Sequence, residues 1–441
     1  MTLGFSSHFS STAVAKSDQG AAFKRYVDES RHEIKKASVK IDERVGGERL
    51  IKISIPTNIW KDKDVRPSVW EHWLLLKVPA RIKSRQVFLY LSNGSNDDKA
   101  PEAIHKLPSE IAKKNSMITA ELRMVPSQPL TFLDGGKTRS EDGIIAHSWM
   151  KFFETGDSSW IAYAPMIASA RETMNYLDSY LKETLNLTAE GYILSGQSKR
   201  AWTSWLTAIH DSRVKGLMPI VFDALNLEKN MLHHHEVYGF WAPALKDYEE
   251  QGVTRFIGTD KFKNLTDLID PWANRDRLLV PKYLVQAAND QFFLPDSSQF
   301  YFSGLPGDKA LRYIANSGHH VDHASYDYVQ DATAAIDRIL SKKNLNLMSW
   351  TNKNNTLNIS CDEAPLSLKL WEAESDKRDF RLDREYPAYS GANLSAGSVK
   401  EFQIKVKKPS KKWKAYFLEA CFPGAQKQSA PYCLTTDVYI Y

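Results

Sequence analysis

The sequence predicts an α/β fold with a mostly parallel sheet, followed by an all-β C-terminal domain. Two observations predict it. From Glu190 to beyond Ser325, short apolar runs alternate with helically spaced segments, the pattern of βαβ crossovers that cover both faces of a sheet. After about Lys343 the texture changes to short alternating runs with turn residues, such as NTLNISC and TTDVYIY, which read as a sandwich of strands.

The elements follow in order. After a polar lead over 1–45, the runs RLIKISIP, SVWEHWLLLKVP, QVFLYLSNGSN and SMITAELRMVP are apolar and β-branched and read as strands. These antiparallel-looking strands form one side of the sheet. EDGIIAHSWMKFF and MIASARETMNYLDSYLKETL return apolar residues every three or four positions and read as helices. Next come strand EGYILSG, a helix from about Lys199, strand VKGLMPIVFD, strand KYLVQAAN, helix PDSSQFYFSGL, strand KALRYIAN and a helix from about Ser325. The segment between Leu225 and Leu279, about fifty residues, is far longer than the 2–6 residues of an ordinary α/β connection. It is expected to form a helical lid over about 226–278. The predicted organisation is a lead (1–45), an α/β domain carrying the lid (46–342) and a C-terminal β domain (343–441).

Composition excludes some function classes. The formal charge of +5 comes from 58 basic and 53 acidic residues spread along the chain, so no polycationic arm is available to neutralise a phosphate backbone. Nucleic acid is not an expected partner. No run approaches the roughly 20 apolar residues of a membrane-spanning helix. The first residues, MTLGFSSHFSSTAVAKSDQG, lack a charged segment followed by an apolar block, so no signal peptide is expected there. Cys361, Cys421 and Cys433 show no metal-ligand spacing; a Cys421–Cys433 disulfide and buried free thiols are both open.

The candidate chemistry begins at GYILSGQSKRAWTSWLTA. Gly196-Gln197-Ser198-Lys199-Arg200 fits G-x-S-x-G except at its last position, between a buried strand and a helix. Such a turn lifts Ser198 above a helix N-terminus as a nucleophile, and Gly196 is small because a side chain there would collide with its neighbours. Ser195 reads as a small residue ending the strand. Downstream, Asp290 follows strand KYLVQAAN and His319 follows strand KALRYIAN, so both lie at strand ends in the order serine, acid, histidine. Asp223 and Asp296 compete for the acid, although Asp296 looks more like a helix N-cap, and His320 competes for the base. The oxyanion donors are expected from the Lys199 backbone N–H and from the Asn93-Gly94 turn, with Gly94 as donor and Asn93 at the substrate.

The lid aromatics Tyr238, Phe240, Trp241 and Trp272 are candidates to line a substrate pocket. HHHE, His233 to Glu236, resembles a metal cluster, but consecutive helical residues point apart, so a solvated helix is the stronger reading. Glu141 and Asp142 sit at a helix start, where carboxylates favour the macrodipole. KVKKPSKKWK reads as a basic hairpin. No metal or organic cofactor is expected.

Read together, VPSQPLTF, EDGIIAHSW, APMIASA, SGQSKRAWTSWLTA, PIVFDALN, DPWANRDRL, NDQFFLPDSSQFYFSGLPGDKALRYIANSGHH and TTDVYIY resemble the PhoPQ-activated pathogenicity-related family from about Val125 onward. That family carries Ser-Lys-Arg at the elbow, which makes Arg200 a family trait. The resemblance implies an α/β-hydrolase domain with Ser198, Asp290 and His319 in the triad positions, a C-terminal β domain, and a virulence-associated protein exported to the periplasm or beyond. The expected function is a serine hydrolase of esters, less readily of peptides, acting on a small or acylated substrate. An exported, non-catalytic binding or signalling protein on the same scaffold is the alternative.

Overall fold

The computed structural model describes residues 23–29, 37–321, 327–382 and 386–441. Nine strands make its central sheet: β1 (Ser38–Val45), β2 (Glu48–Ile59), β3 (Val69–Val78), β4 (Ser84–Leu91), β5 (Met117–Leu122), β6 (Gly191–Gln197), β7 (Val214–Ile220), β8 (Lys282–Ala287) and β9 (Lys309–Ile314). Their spatial order is β1-β2-β3-β5-β4-β6-β7-β8-β9. The pairs at the β1 side are antiparallel. From β5 onward every pair is parallel. β5 and β8 are buried at every position, as strands covered on both faces must be.

Strand alternation divides the core into two layers. Val87, Leu89 and Leu91 of β4, with Tyr192 and Leu194 of β6, face α2 (Asp142–Thr155), α3 (Tyr163–Leu185) and α4 (Lys199–His210). Phe88, Tyr90 and Ile193 face the opposite layer, built by α1 (Lys106–Asn115) and α8 (Tyr328–Leu340). The segment between β7 and β8 folds into α5 (Leu227–Tyr238), α6 (Lys246–Glu250), α7 (Asp260–Ile269) and intervening 3-10 turns, so the expected helices are present there.

One helix goes unmarked in the sequence reading, and two local expectations need correction. α1 lies in KLPSEIAKKN, where Pro108 and a polar surface mask the helical period. β1 lies within the stretch assigned to the lead, because its largely exposed residues show no apolar alternation. PDSSQFYFSGL forms only a 3-10 turn over Ser297–Phe300. Tyr301 leaves helical geometry (φ −144°) and turns its hydroxyl inward to Asp223, 2.6 Å away. The expected absence of a signal peptide concerns residues outside the described ones.

The C-terminal strands are β10 (Met348–Lys353), β11 (Thr356–Cys361), β12 (Ser367–Ser375), β13 (Ser390–Leu394), β14 (Glu401–Lys405), β15 (Trp413–Phe422), β16 (Tyr432–Thr435) and β17 (Tyr439–Ile440). They form the sheets β10-β11-β14 and β13-β12-β15-β16, with β17 paired to β15. Leu357 and Ile359 of the first share a core with Leu370 and Leu418 of the second. Cys421 and Cys433, directly opposite each other on β15 and β16, form a disulfide; Cys361 is free and buried. This part docks on the β8–β9 side of the central sheet: Tyr283 donates to the Cys433 carbonyl at 2.8 Å, and the Tyr313 N–H donates to Thr435 Oγ1 at 2.9 Å.

Candidate active site

β6 ends at Gln197, and Ser198 turns the chain into α4 with φ +56° and ψ −126°. A non-glycine residue at positive φ is strained and persists only where its surroundings hold it. Here they do. The Ser198 N–H donates to the Ile220 carbonyl of β7 at 2.9 Å, and the Trp202 N–H donates back to the Ser198 carbonyl at 3.0 Å. A Cβ on Gly196 would lie 2.8 Å from the Arg200 carbonyl carbon, so only glycine lets the strand pass this close to the helix.

Arg200, the departure from G-x-S-x-G, is buried and tied down. Its Nε donates to the Val125 carbonyl at 2.5 Å, and its two terminal nitrogens grip Glu141 at 2.6 and 2.8 Å. Lys199 Nζ reaches Glu141 at 2.7 Å and Asp142 at 3.2 Å. Glu141 itself has φ +49° and ψ −125°, and Gln128 holds it through the Glu141 N–H and through Oε1. Burial pushes the Glu141 carboxyl up, but the Arg200 and Lys199 charges and hydrogen bonds outweigh it and hold the group far below the usual carboxylate range. The macrodipole role expected of Glu141 is thus secondary to its ion pairs.

Asp290 follows β8 and His319 follows β9, as the topology requires. His319 Nδ1 donates to Asp290, with Oδ2 at 2.8 Å and Oδ1 at 3.0 Å. Asp290 Oδ1 also accepts the Phe292 N–H at 2.7 Å, which fixes the carboxylate. Both side chains are buried. His319 Nε2 is buried with no hydrogen-bond partner among the described residues, so no bond to Ser198 is present. The Phe292 ring lies 4.2 Å from the imidazole. Gln291 braces the pair: its Oε1 accepts the His319 N–H at 2.8 Å, and its Nε2 donates to the Leu382 carbonyl at 3.1 Å. Asn289 reaches the same C-terminal segment, donating to the Phe380 carbonyl at 2.6 Å.

The competing acids are occupied elsewhere. Asp223 accepts hydroxyls from Tyr301 at 2.6 Å and Tyr313 at 2.5 Å; burial raises its pKa to about 8. Asp296 pairs with Arg378 at 2.8 Å and His233 at 3.1 Å. His320 is exposed, its ring 6.0 Å from that of His319.

A cavity of about 970 Å³ opens beside Ser198; Asn93, Lys199, Phe292, His319 and His320 are among its walls. A second of about 50 Å³ adjoins the first at Asp142, Ser198, Lys199 and Phe292. Gly94 lines neither, since its Cα faces Met124 and Asp98. Tyr238, Trp241 and Trp272 also lie outside both. Tyr238 packs under the Arg381 guanidinium at 4.5 Å, Trp241 stacks on His234 at 5.7 Å, and Trp272 lies under Arg275 at 4.3 Å. Other residues of the insertion, including Leu227, Met231, Leu245 and Phe262, wall the small cavity instead. Among the described residues no group of three or more His, Cys, Asp or Glu could hold a metal ion. Glu121, which accepts from Ser92, the His105 N–H and Arg123, forms a wall of the large cavity that the sequence reading does not single out.

The strand order, the serine at the β6–α4 turn and the acid and histidine after β8 and β9 define an α/β-hydrolase fold. Acetyl xylan esterase from Paenibacillus sp. R4 shares it, with a TM-score of 0.50 and 13% identity over 75% of this chain and 99% of that one. The chain belongs to the PhoPQ-activated pathogenicity-related protein family, whose model matches residues 23–381. It is also 28% identical, over 392 residues, to autocrine proliferation repressor protein A of Dictyostelium discoideum, covering 83% of this chain and 79% of that protein.

Proposed function

We propose that the protein is a serine hydrolase that cleaves esters through an acyl-enzyme. One observation carries this reading: the buried His319 is held by Asp290 at 2.8 Å, with Nε2 left unpaired, on the wall of the cavity that Ser198 also lines. Two groups 121 positions apart in sequence meet one cavity, where a general base and a nucleophile are needed.

Ser198 Oγ attacks the ester carbonyl while His319 Nε2 takes its proton. Asp290 keeps the remaining proton on Nδ1 and stabilises the imidazolium. The Lys199 N–H, at the first position of α4, donates to the oxyanion, and Asn93 takes the place expected of Gly94 as source of the second donor. His319 then protonates the departing alcohol, and water, deprotonated by the same imidazole, releases the acid. Formation of the Ser198–His319 hydrogen bond belongs to the substrate complex, since catalytic hydrogen bonds often tighten only there. The insertion between β7 and β8 acts as the lid, because its residues close the small cavity next to Ser198. A cross-strand disulfide fits an oxidising compartment and therefore export.

A second reading has its own observation. The Dictyostelium relative is named as a repressor of proliferation, which favours an exported signalling protein on a hydrolase scaffold. Fluorophosphonate labelling separates the two. The hydrolase reading expects covalent labelling of wild type and none of Ser198→Ala; equal labelling of both, or of neither, defeats it.

A further inference from the structure

The two cavities that meet at Ser198 differ in size and chemistry, and the difference selects a substrate. We infer that, given the serine hydrolase reading above, the substrate is a short-chain acyl ester of a neutral, polyhydroxylated alcohol, with the acyl group in the small chamber and the alcohol in the large one.

The small chamber is walled mainly by apolar and aromatic side chains, Trp149, Trp202, Phe222, Met231, Tyr248 and Phe293 among them. Two of its polar groups already have partners: Trp202 Nε1 donates to the Ile269 carbonyl at 2.5 Å, and the Tyr248 hydroxyl donates to Asp142 at 3.0 Å; Trp149 Nε1 and the Tyr163 hydroxyl have none among the described residues. A hydroxyl-rich group pushed in here would lose its hydrogen bonds to water and regain few, whereas an alkyl chain loses nothing. At about 50 Å³ against about 970 Å³ for its neighbour, the space suits a short alkyl chain better than a long one. The trio Trp149–Trp202–Phe222, with ring centroids 5.8 and 4.5 Å apart, sets a rigid floor to it.

The large chamber is rich in charge, yet its charges cancel in pairs. Arg200 and Lys199 meet Glu141 and Asp142, Arg123 meets Glu121 at 3.0 Å, and Lys106 meets Asp327 at 2.9 Å. Among the described residues, four cations thus face four carboxylates on its walls. No surplus charge remains among the described residues to repay the desolvation of an ionic alcohol, while paired carboxylate and guanidinium edges retain lone pairs and N–H groups for hydroxyls. The reaction is an ordinary hydrolysis: the acyl C–O bond breaks, the alcohol leaves with the proton carried by His319, and water supplies the hydroxyl of the released acid.

The test has two arms on the full chain. Fluorophosphonates carrying methyl, butyl or octyl on phosphorus are compared by their labelling rates. Methyl and butyl are expected to outpace octyl by about tenfold or more, the scale on which a small apolar pocket discriminates chain length. Met231→Ala should raise the octyl rate relative to methyl, and Met231→Trp should lower the butyl rate. Absence of labelling by any probe overturns the hydrolase reading and this inference together; octyl labelling as fast as methyl, with Ser198 modified, overturns the inference alone. In the second arm, acetyl esters of a neutral sugar, a uronic acid and choline are compared by kcat/KM. The neutral ester is expected to lead by about tenfold; a lead for either charged ester overturns the neutral class.

Discussion

His319 Nδ1 lies 2.8 Å from Asp290 Oδ2, while Nε2 of the same ring is buried and unpartnered. On the proposed mechanism the first contact fixes the tautomer and the second atom does the chemistry. Asp290→Asn should keep the fold and lower kcat by about 10³- to 10⁴-fold, because the amide favours the wrong tautomer. Ser198→Ala and His319→Ala should leave no measurable ester hydrolysis. Steady-state assays on short acyl esters check this, and an Asp290→Asn variant with wild-type kcat would remove the aspartate from the mechanism.

Gly196→Ala tests the elbow from below. Its Cβ would lie 2.8 Å from the carbonyl carbon of Arg200 and 2.9 Å from its oxygen. Backbone of α4 cannot rotate away as a side chain could, so the strand or helix must shift. Overpacking of this kind costs about 1–3 kcal/mol. A displaced Ser198 should also cut kcat/KM by about 10²-fold. Denaturant unfolding and ester assays on one preparation would separate the two effects; an alanine variant with unchanged stability and rate would show the contact to be soft.

The parts of the site that were legible in the sequence are those fixed by local pattern plus topology. Ser198 stands after a buried strand and before a helix, and Asp290 and His319 follow buried strands, so their places could be read from the alternation alone. The Glu141–Arg200 clamp could not, because its partners are 59 residues apart and Glu141 also fits an ordinary helix start. Asn93 and Gly94 share one turn signal, and only the packing of Gly94 against Met124 separates them. Tyr238, Trp241 and Trp272 failed as pocket residues because aromatic content says nothing of direction. The helices and turns of the insertion aim them at Arg381, His234 and Arg275, and place Met231 and Leu245 at the cavity.

Gln291 joins the His319 loop to the C-terminal part through its two amide atoms, at 2.8 and 3.1 Å. Gln291→Ala frees the His319 backbone N–H and the Leu382 carbonyl at once. Its expected effect is on kcat, about tenfold or more, with KM little changed, since the side chain positions the base without lining either cavity. Gln291→Glu keeps the acceptor for the His319 N–H and should recover part of the rate. A rise in KM at constant kcat would instead make Gln291 a substrate contact.

Asp223 gives a pH signature with a definite sign. Burial raises its pKa from 3.8 to about 8, and hydrogen bonds from Tyr301 and Tyr313 offset this only in part. Between those values the folded state holds a proton that the unfolded state has released, so stability falls as pH rises through this window. The contribution is complete below the unfolded pKa and is lost as pH passes the folded one. Asp223→Asn keeps the shape and has no titration. The stability difference between wild type and variant, measured in urea at steps from pH 4 to pH 9, should therefore move against wild type as pH rises; a constant difference would mean that the carboxyl titrates normally.

Glu141 should behave with the opposite sign. Its carboxylate is the shared partner of Lys199 and Arg200, whose own side chains are only 7% and 8% exposed, so neutralising it leaves two buried cations with Asp142, 3.2 Å from Lys199, as the remaining ion-pair partner in contact among the described residues. Removing one partner of a fully buried pair costs about 3–5 kcal/mol, but the Glu141 side chain is 39% exposed, and water screening brings the expectation for Glu141→Gln to about 2 kcal/mol at pH 7. Because the folded carboxyl titrates below its ordinary value of 4.5, its stabilisation is present above that value and is lost as pH falls toward the folded pKa. Wild type and Glu141→Gln should thus differ most at neutral pH and converge below about pH 4. Lys199 carries the oxyanion donor of the proposed mechanism on its backbone, so loosening the clamp should also lower kcat at neutral pH. A stability gap that stays constant from pH 7 to pH 3 would show that the amide fails by shape and not by charge.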